Sequence, residues 1–177
     1  MRGMIGGVAV RKRSKVVVAG LLAGAAIVLS GCGFTPLYAQ QGVASNLAAV
    51  DVVAPDGRTG FLLREHLDDA LGKRRGAAPA YRMNLSVSET RYPRGVRIDN
   101  VATRYEYVLV AAYTLNALPS GAVAKSGQVR VELTYDSADQ PYSAIAAQQD
   151  AQDRAAQEAA RRIQLELAAW LAAGAKS

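Results

Sequence analysis

From Ser143 to Ala173 the chain runs without a glycine or proline and is dominated by Ala, Gln, Glu and Arg. These are strong helix formers, and nothing inside the stretch breaks the pattern. At 1.5 Å per residue the helix would be on the order of 45 Å long. That exceeds the width of a small sheet, so the rest of the domain has to fold along it. Ala156, Ala160, Ile163, Leu167, Trp170 and Leu171 form its apolar stripe, with Arg154, Glu158 and Arg161 opposite. Leu165 departs from this pattern, falling on the polar side.

The segments before it read mainly as strands. Leu47 to Val53 is β-prone, and Pro55-Asp56-Gly57 is a turn signal. A helical pattern follows from Thr59, with Leu63, Leu67, Ala70 and Leu71 on one face. Lys73, Arg74 and Arg75 are expected in its last turn, where cations complement the macrodipole, and Gly76 is expected to end it. Tyr81, Met83, Leu85 and Val87 then alternate with Arg82, Asn84, Ser86 and Ser88, the period of a half-exposed strand. A loop is expected around Arg91, Pro93, Arg94, Gly95 and Arg97. Thr103 to Leu115 is apolar on both faces in its middle and reads as a central strand. Ser126-Gly127 reads as turn material, and Val129 to Tyr135 as another alternating strand. The order β-α-β-β-β-α implies an α+β two-layer sandwich, a four-stranded mostly antiparallel sheet with two helices on one face. One domain, residues 47–173, accounts for all of it.

The charge of the chain points elsewhere until it is located. The net charge is +6, with 21 basic and 15 acidic residues, which would suit nucleic acid. Five of the basic residues (Arg2, Arg11, Lys12, Arg13, Lys15) precede residue 32 with no acidic residue among them. An apolar run from Val16 to Leu29 follows, then Ser30, Gly31 and Cys32. This is the charged region, apolar region and small-residue cleavage site of a secretory signal, too short for a span of about 20 residues. Residues 1–31 are therefore expected to be removed. The remaining 146 of 177 residues carry 16 basic and 15 acidic side chains, a net charge of +1. Nucleic acid is not an expected partner.

The ending Leu29-Ser-Gly-Cys32 resembles the lipobox of bacterial lipoproteins, in which the cysteine becomes the first residue and carries diacylglycerol and an N-acyl chain. Anchoring by two or more chains is effectively permanent, at about 0.8 kcal/mol per buried methylene. Gly33 is not the aspartate that retains such proteins in the inner membrane, so the expected place is the periplasmic face of the outer membrane. Residues 32–46 read as the lipidated N-terminus and a polar tether.

Catalytic signatures are weak. His66 is the only histidine and lies at the margin of the first helix's apolar face; no Gly-x-Ser-x-Gly elbow accompanies it. Asp150 with Arg154 and Glu158 with Arg162 read as ordinary i,i+4 pairs. One cysteine rules out a multi-cysteine metal site, and no phosphate-cradling glycine loop is present. Catalytic residues, metals and cofactors are expected to be none, apart from the covalent lipid at Cys32. The basic set Arg91, Arg94, Arg97 and Arg104, joined across the sheet by Lys125 and Arg130, is the stronger feature. Arginine forks match phosphate bidentately, and an anionic lipid headgroup would be a fitting partner. A solvated loop explains the same residues. Tyr92, Tyr105, Tyr107 and Tyr113 suit either an interface or a half-buried sheet.

Five stretches together resemble the LptE-type lipopolysaccharide-assembly lipoproteins in their alphaproteobacterial form. They are Cys32-Gly-Phe-Thr-Pro-Leu-Tyr38, Arg58-x-Gly-x-Leu-Leu-Arg64-x-x-Leu67, and Ala102-Thr-Arg104 leading to Ala112-Tyr-x-Leu115. Thr134-Tyr135-Asp136 and Ala147-x-x-Asp150-Ala-x-x-Arg154-Ala-x-x-x-Ala159 complete the set in the right order. The resemblance implies a non-catalytic plug and assembly factor for an LptD-type outer-membrane β-barrel, delivering lipopolysaccharide to the outer leaflet. It makes Arg91, Arg94, Arg97 and Lys125 the candidate headgroup contacts. Two other readings stay open: an accessory lipoprotein of an inner-membrane lipid or solute transporter, and a lipid-anchored periplasmic hydrolase.

Overall fold

The alternation of Tyr81 to Val87 and of Val129 to Tyr135 forms strands because each has a partner that buries one face. In the computed structural model the described residues are 42–174, apart from 75, 77, 100, 138 and 139. The signal segment, Cys32 and the tether up to residue 41 lie outside them. The elements are α1 (Val43–Ala48), β1 (Val50–Val53), α2 (Arg58–Ala70), β2 (Tyr81–Val96), β3 (Ala102–Ala117), β4 (Val123–Asp136) and α3 (Pro141–Ala172). The sheet order is β1-β2-β3-β4. β2, β3 and β4 pair antiparallel. β1 pairs parallel to β2, because α2 forms the crossover that a parallel pair requires. The α+β architecture with a four-stranded, mostly antiparallel sheet is as expected, and the sheet is mixed.

Odd-numbered residues of β2, β3 and β4 face the helices. Met83, Tyr107, Leu109, Tyr113, Leu115, Val129 and Val131 are buried there, against Leu63 and Leu67 of α2 and Ile163 and Leu167 of α3. Ala151, Ala155, Ala156, Ala159 and Ala160 are also buried. Their small side chains let α3 approach both the sheet and α2 closely, so the alanine content is a packing feature as well as a propensity. Trp170 sits at the rim, edge-on to Tyr81 with ring centroids 5.9 Å apart.

Four local expectations change. The helix α1 begins within the stretch read as tether, because Val43 and Leu47 bury their side chains in the core. α2 ends at Ala70, not at Gly76: Gly72 takes φ +67°, and Lys73 folds back to within 3.3 Å of both Asp51 and Asp68. The loop expected at Arg91–Arg97 is strand as far as Val96, since β3 offers continuous partners down to the pair Val96–Ala102. Pro93 is tolerated because β1 covers only the first four residues of β2, leaving an edge where no N–H is needed. Finally, Ser126-Gly127 lies inside β4. A Cβ on Gly127 would stand 2.5 Å from the Tyr113 hydroxyl, so this glycine makes room for a tyrosine and is not a turn.

Candidate functional site

The arginines proposed as one cluster are divided by strand parity. Arg94 and Arg104 are even-numbered and lie on the open face, directly opposite each other in the β2–β3 register. Each has a carboxylate: Arg94 Nε donates to Glu106 Oε2 at 2.9 Å, and Arg104 Nε to Asp136 Oδ1 at 2.8 Å. Arg97 lies past the end of β2, with Asp99 at 3.4 Å. Arg130 pairs with Glu132 on the open face. Lys125 is opposite Leu115, eleven residues along β3 from Arg104, or about 36 Å at ~3.3 Å per residue. Parity also turns it toward the helices. The structure does not bring Lys125 to the arginines.

Arg91 is odd-numbered and faces α3. Its Nη1 donates to Gln148 Oε1 at 2.5 Å and to the Tyr135 hydroxyl at 3.5 Å. The guanidinium carbon lies 5.5 Å from the centroid of Tyr105, which itself stacks on Tyr135 at 5.6 Å. Among the described residues no carboxylate comes within 4.0 Å of it. Arg91 is thus held in place by neutral groups with its charge uncompensated, unlike Arg94, Arg97 and Arg104.

Two residues before it, Glu89 joins four elements. Its Oε2 accepts hydrogen bonds from Thr59 Oγ1 (3.0 Å, α2), Tyr107 Oη (2.6 Å, β3) and Gln152 Nε2 (3.2 Å, α3). All three donors are at least nine-tenths buried. Burial, and then donation to the Glu89 carboxylate, pushes the Tyr107 phenol above the ordinary tyrosine range. Glu89, Arg91, Tyr107, Gln148 and Gln152 line one cleft of about 220 Å³. A second buried phenol, Tyr113, donates to Glu166 Oε2 at 2.7 Å, and burial followed by that bond raises it likewise.

No motif announces Glu89 or Gln152. Their one signal is positional. Glu89 follows Met83, Leu85 and Val87 on the helix-facing parity at the point where that row becomes exposed, and Gln152 falls among the buried alanines of α3. A polar residue on an apolar parity marks a satisfied network or a site.

His66 Nε2 lies 2.8 Å from Asp153 Oδ1, clasping α2 to α3. Among the described residues no hydroxyl or thiol hydrogen-bonds to this histidine. Asp150 and Glu158 pair with Arg154 and Arg162 at 2.8 Å, as their spacing implied. Among the described residues no three His, Cys, Asp or Glu gather as for a metal, and no helix is long and apolar enough to cross a membrane.

The family model for lipopolysaccharide assembly, LptE, matches residues 47–167. No curated protein matches the chain. A solved lipoprotein structure from Caulobacter crescentus CB15 is 56% identical, covering 77% of this chain and 98% of its own with a TM-score of 0.66. Lipoprotein B of Nitrosomonas europaea shares 17% identity over 71% of this chain and 84% of its own, at a TM-score of 0.53, a likeness of fold alone. The chain belongs to the LptE family of lipopolysaccharide-assembly proteins.

Proposed function

We propose that the protein is a non-catalytic lipoprotein, anchored through Cys32 to the periplasmic face of the outer membrane, whose folded domain plugs and helps assemble an LptD-type β-barrel. The observation that carries this reading is the contrast between the two faces of the sheet. A plug needs a rigid body with a hydrophilic exterior, because the lumen of an outer-membrane barrel is polar. The open face is largely of this kind: Ser86, Ser88, Thr90, Thr114 and Gln128 surround Val108 and Val110, and the charges beside them are paired. Membership of a lipopolysaccharide-assembly family, and a 56% identical relative described as a lipoprotein, support the same reading.

Arg91, Arg94 and Arg97 are the proposed contacts for anionic groups of the headgroup near one end of the β2–β3 hairpin, Arg91 from the helix-covered side and Arg94 from the open face. Exposed ion pairs such as Arg94–Glu106 are weak in water and exchange readily for a phosphate. Val96, Ile98 and Val101 are exposed at the same end, beside these arginines, as an amphiphile would require. Lys125, at the far end of β3, is not part of that set.

Pull-down of the mature protein from detergent-solubilised outer membrane should recover a large β-barrel. Depleting the protein should leave that barrel misassembled and lipopolysaccharide missing from the cell surface. Normal surface lipopolysaccharide after depletion would refute the assignment. Recovery of inner-membrane transporter subunits instead would favour an accessory lipoprotein. Substituting His66, Asp150 and Asp153 together should leave barrel assembly intact, whereas a hydrolase would lose its function.

A further inference from the structure

We propose that the outer edge of β4 is complementary to a second copy of itself, and that Arg162 of α3 holds this edge closed so that the chain stays single. The inference goes beyond the assembly reading and does not depend on it, since it rests on the edge alone.

β4 is the last strand of the sheet, so among the described residues one side of its backbone has no neighbouring strand. Residues of an antiparallel strand bond alternately to one side and the other. Ser137 N donates to Thr103 O at 2.8 Å, continuing the β3–β4 register, so the odd-numbered residues of β4 are the ones bonded to β3. The N–H and C=O groups of Gln128, Arg130, Glu132 and Thr134 therefore point outward. Such a row is a template for another strand. The order of side chains selects which strand. Antiparallel pairing of two copies about a two-fold axis at Val131 sets Arg130 opposite Glu132 of the second copy, twice over, and Gln128 opposite Thr134 of the second copy. Moving the axis by one residue either way sets arginine against arginine or glutamate against glutamate. Opposite charges stabilise a cross-strand pair and like charges destabilise it. The edge thus fits a second copy, in a closed isologous arrangement.

Arg162 stands in the way. Its Nη1 donates to the Arg130 carbonyl at 2.8 Å, in the middle of the outward row. Its Nε donates to Glu158 Oε1 at 2.8 Å, one turn earlier on α3, so the guanidinium is held over the edge. Pairing with Glu158 alone would leave the bond to Arg130 unexplained. Two-fold pairing needs the Arg130 carbonyl for the amide of Glu132 of the second copy, and it needs the space that the guanidinium fills. Each copy would have to release an arginine. A charged donor on that carbonyl makes a stronger bond than the neutral amide that would replace it. The long helix therefore blunts the edge from the side, where a loop or a bulge does so in other sheets.

Sedimentation equilibrium of the full-length lipidated protein, in density-matched detergent with micelles in excess, tests this. The unsubstituted protein should sediment as a monomer, and Arg162→Ala should dimerise at least about tenfold more tightly, one charge-assisted hydrogen bond's worth. Glu158→Ala frees Arg162 without shortening it and should shift association the same way by a smaller factor, so the test survives if Arg162→Ala fails to fold. Adding Glu132→Arg to Arg162→Ala should abolish the dimer, because four arginines would then meet at the axis. Adding Arg130→Glu as well, which restores opposite charges in reversed order, should bring the dimer back. Amide hydrogen exchange in the Arg162→Ala dimer should slow at Arg130 and Glu132 and stay unchanged at Val129 and Val131, which already bond to β3. That alternation distinguishes edge pairing from association through the lipid anchors. Monomers in both Arg162→Ala and Glu158→Ala, an unsubstituted protein that dimerises as tightly as Arg162→Ala, a dimer indifferent to Glu132→Arg, or protection without alternation would overturn the proposal. If it falls while the barrel is still recovered by pull-down, the assembly reading stands.

Discussion

The helix-covered face of the sheet and its open face share one alternation but carry different chemistry. On the covered face, Met83, Leu109, Leu115 and Val131 are buried against α2 and α3, and the two buried phenols each have a carboxylate partner: Tyr107 on Glu89, Tyr113 on Glu166. On the open face most side chains are short, polar or charged around Val108 and Val110, and the ion pairs sit in solvent. The covered face therefore carries most of the folding energy, and the charged positions of the open face can change with little structural consequence. The difference is clearest at β2, where Arg91 and Arg94, three residues apart, fall on opposite faces. Arg91 bridges to α3, while Arg94 pairs with an exposed glutamate. If the comparison holds, substitutions should separate by face rather than by residue type.

The largest effects belong to the covered face. Leu67 and Ile163 are fully buried where α2, α3 and the sheet meet. Leu67→Ala or Ile163→Ala should lower stability by about 2–5 kcal/mol, measured by chemical denaturation, because a cavity remains among rigid neighbours. A loss below about 1 kcal/mol would mean that the helices are loosely seated, and the contrast between faces would collapse.

Alkaline pH should expose the same face next. Tyr107 and Tyr113 ionise above the ordinary tyrosine value of about 10 while folded, and near it once unfolded. Above pH 10 the unfolded chain therefore binds fewer protons than the folded one, so stability is complete below pH 10 and falls as pH rises. Each tyrosine contributes a slope of about 1.4 kcal/mol per pH unit. Tyr107→Phe with Tyr113→Phe should flatten that limb, and a limb unchanged in the double variant would remove both phenols from the account.

Gly127→Ala tests the boundary between β3 and β4. The new Cβ would meet the ring and hydroxyl of Tyr113, which is buried and held by Glu166, so the ring has to shift. The expected loss is about 1–3 kcal/mol, and Tyr113→Phe in the same chain should not restore it, because the ring collides as well as the hydroxyl.

Strong periodicity made most of this fold legible. The long α3, its stripe through Ile163 and Leu167, and the alternation of β2 and β4 follow from residue order alone. What escaped depends on contacts distant in sequence. Pro93 and Gly95 read as loop residues until β3 supplies partners across the hairpin, and Gly127 reads as a turn until Tyr113 occupies its side-chain space. Val43, in a polar stretch, becomes core only because α1 packs on α3. The site followed the same rule. Composition showed several arginines near one another, but parity decides that Arg91 shares a cleft with Glu89, Gln148 and Gln152. Lys125, adjacent in imagination, is a sheet's length away.

The smallest effect is the most informative about the open face. Arg94 and Glu106 form a close, doubly bonded pair, yet the Arg94 side chain is 57% exposed. Solvent screens such a pair, and ordering two long side chains offsets part of the attraction. A double-mutant cycle of Arg94→Ala and Glu106→Ala should give a coupling of about 0–1 kcal/mol, shrinking further in high salt. A coupling of 2 kcal/mol or more that resists salt would mean that the pair supports the hairpin. The open face would then be structural, and Arg94 would not be free to exchange its glutamate for a phosphate. A coupling near zero leaves Arg94 available at almost no folding cost, as a surface that trades its ion pairs for a ligand or a polar lumen requires.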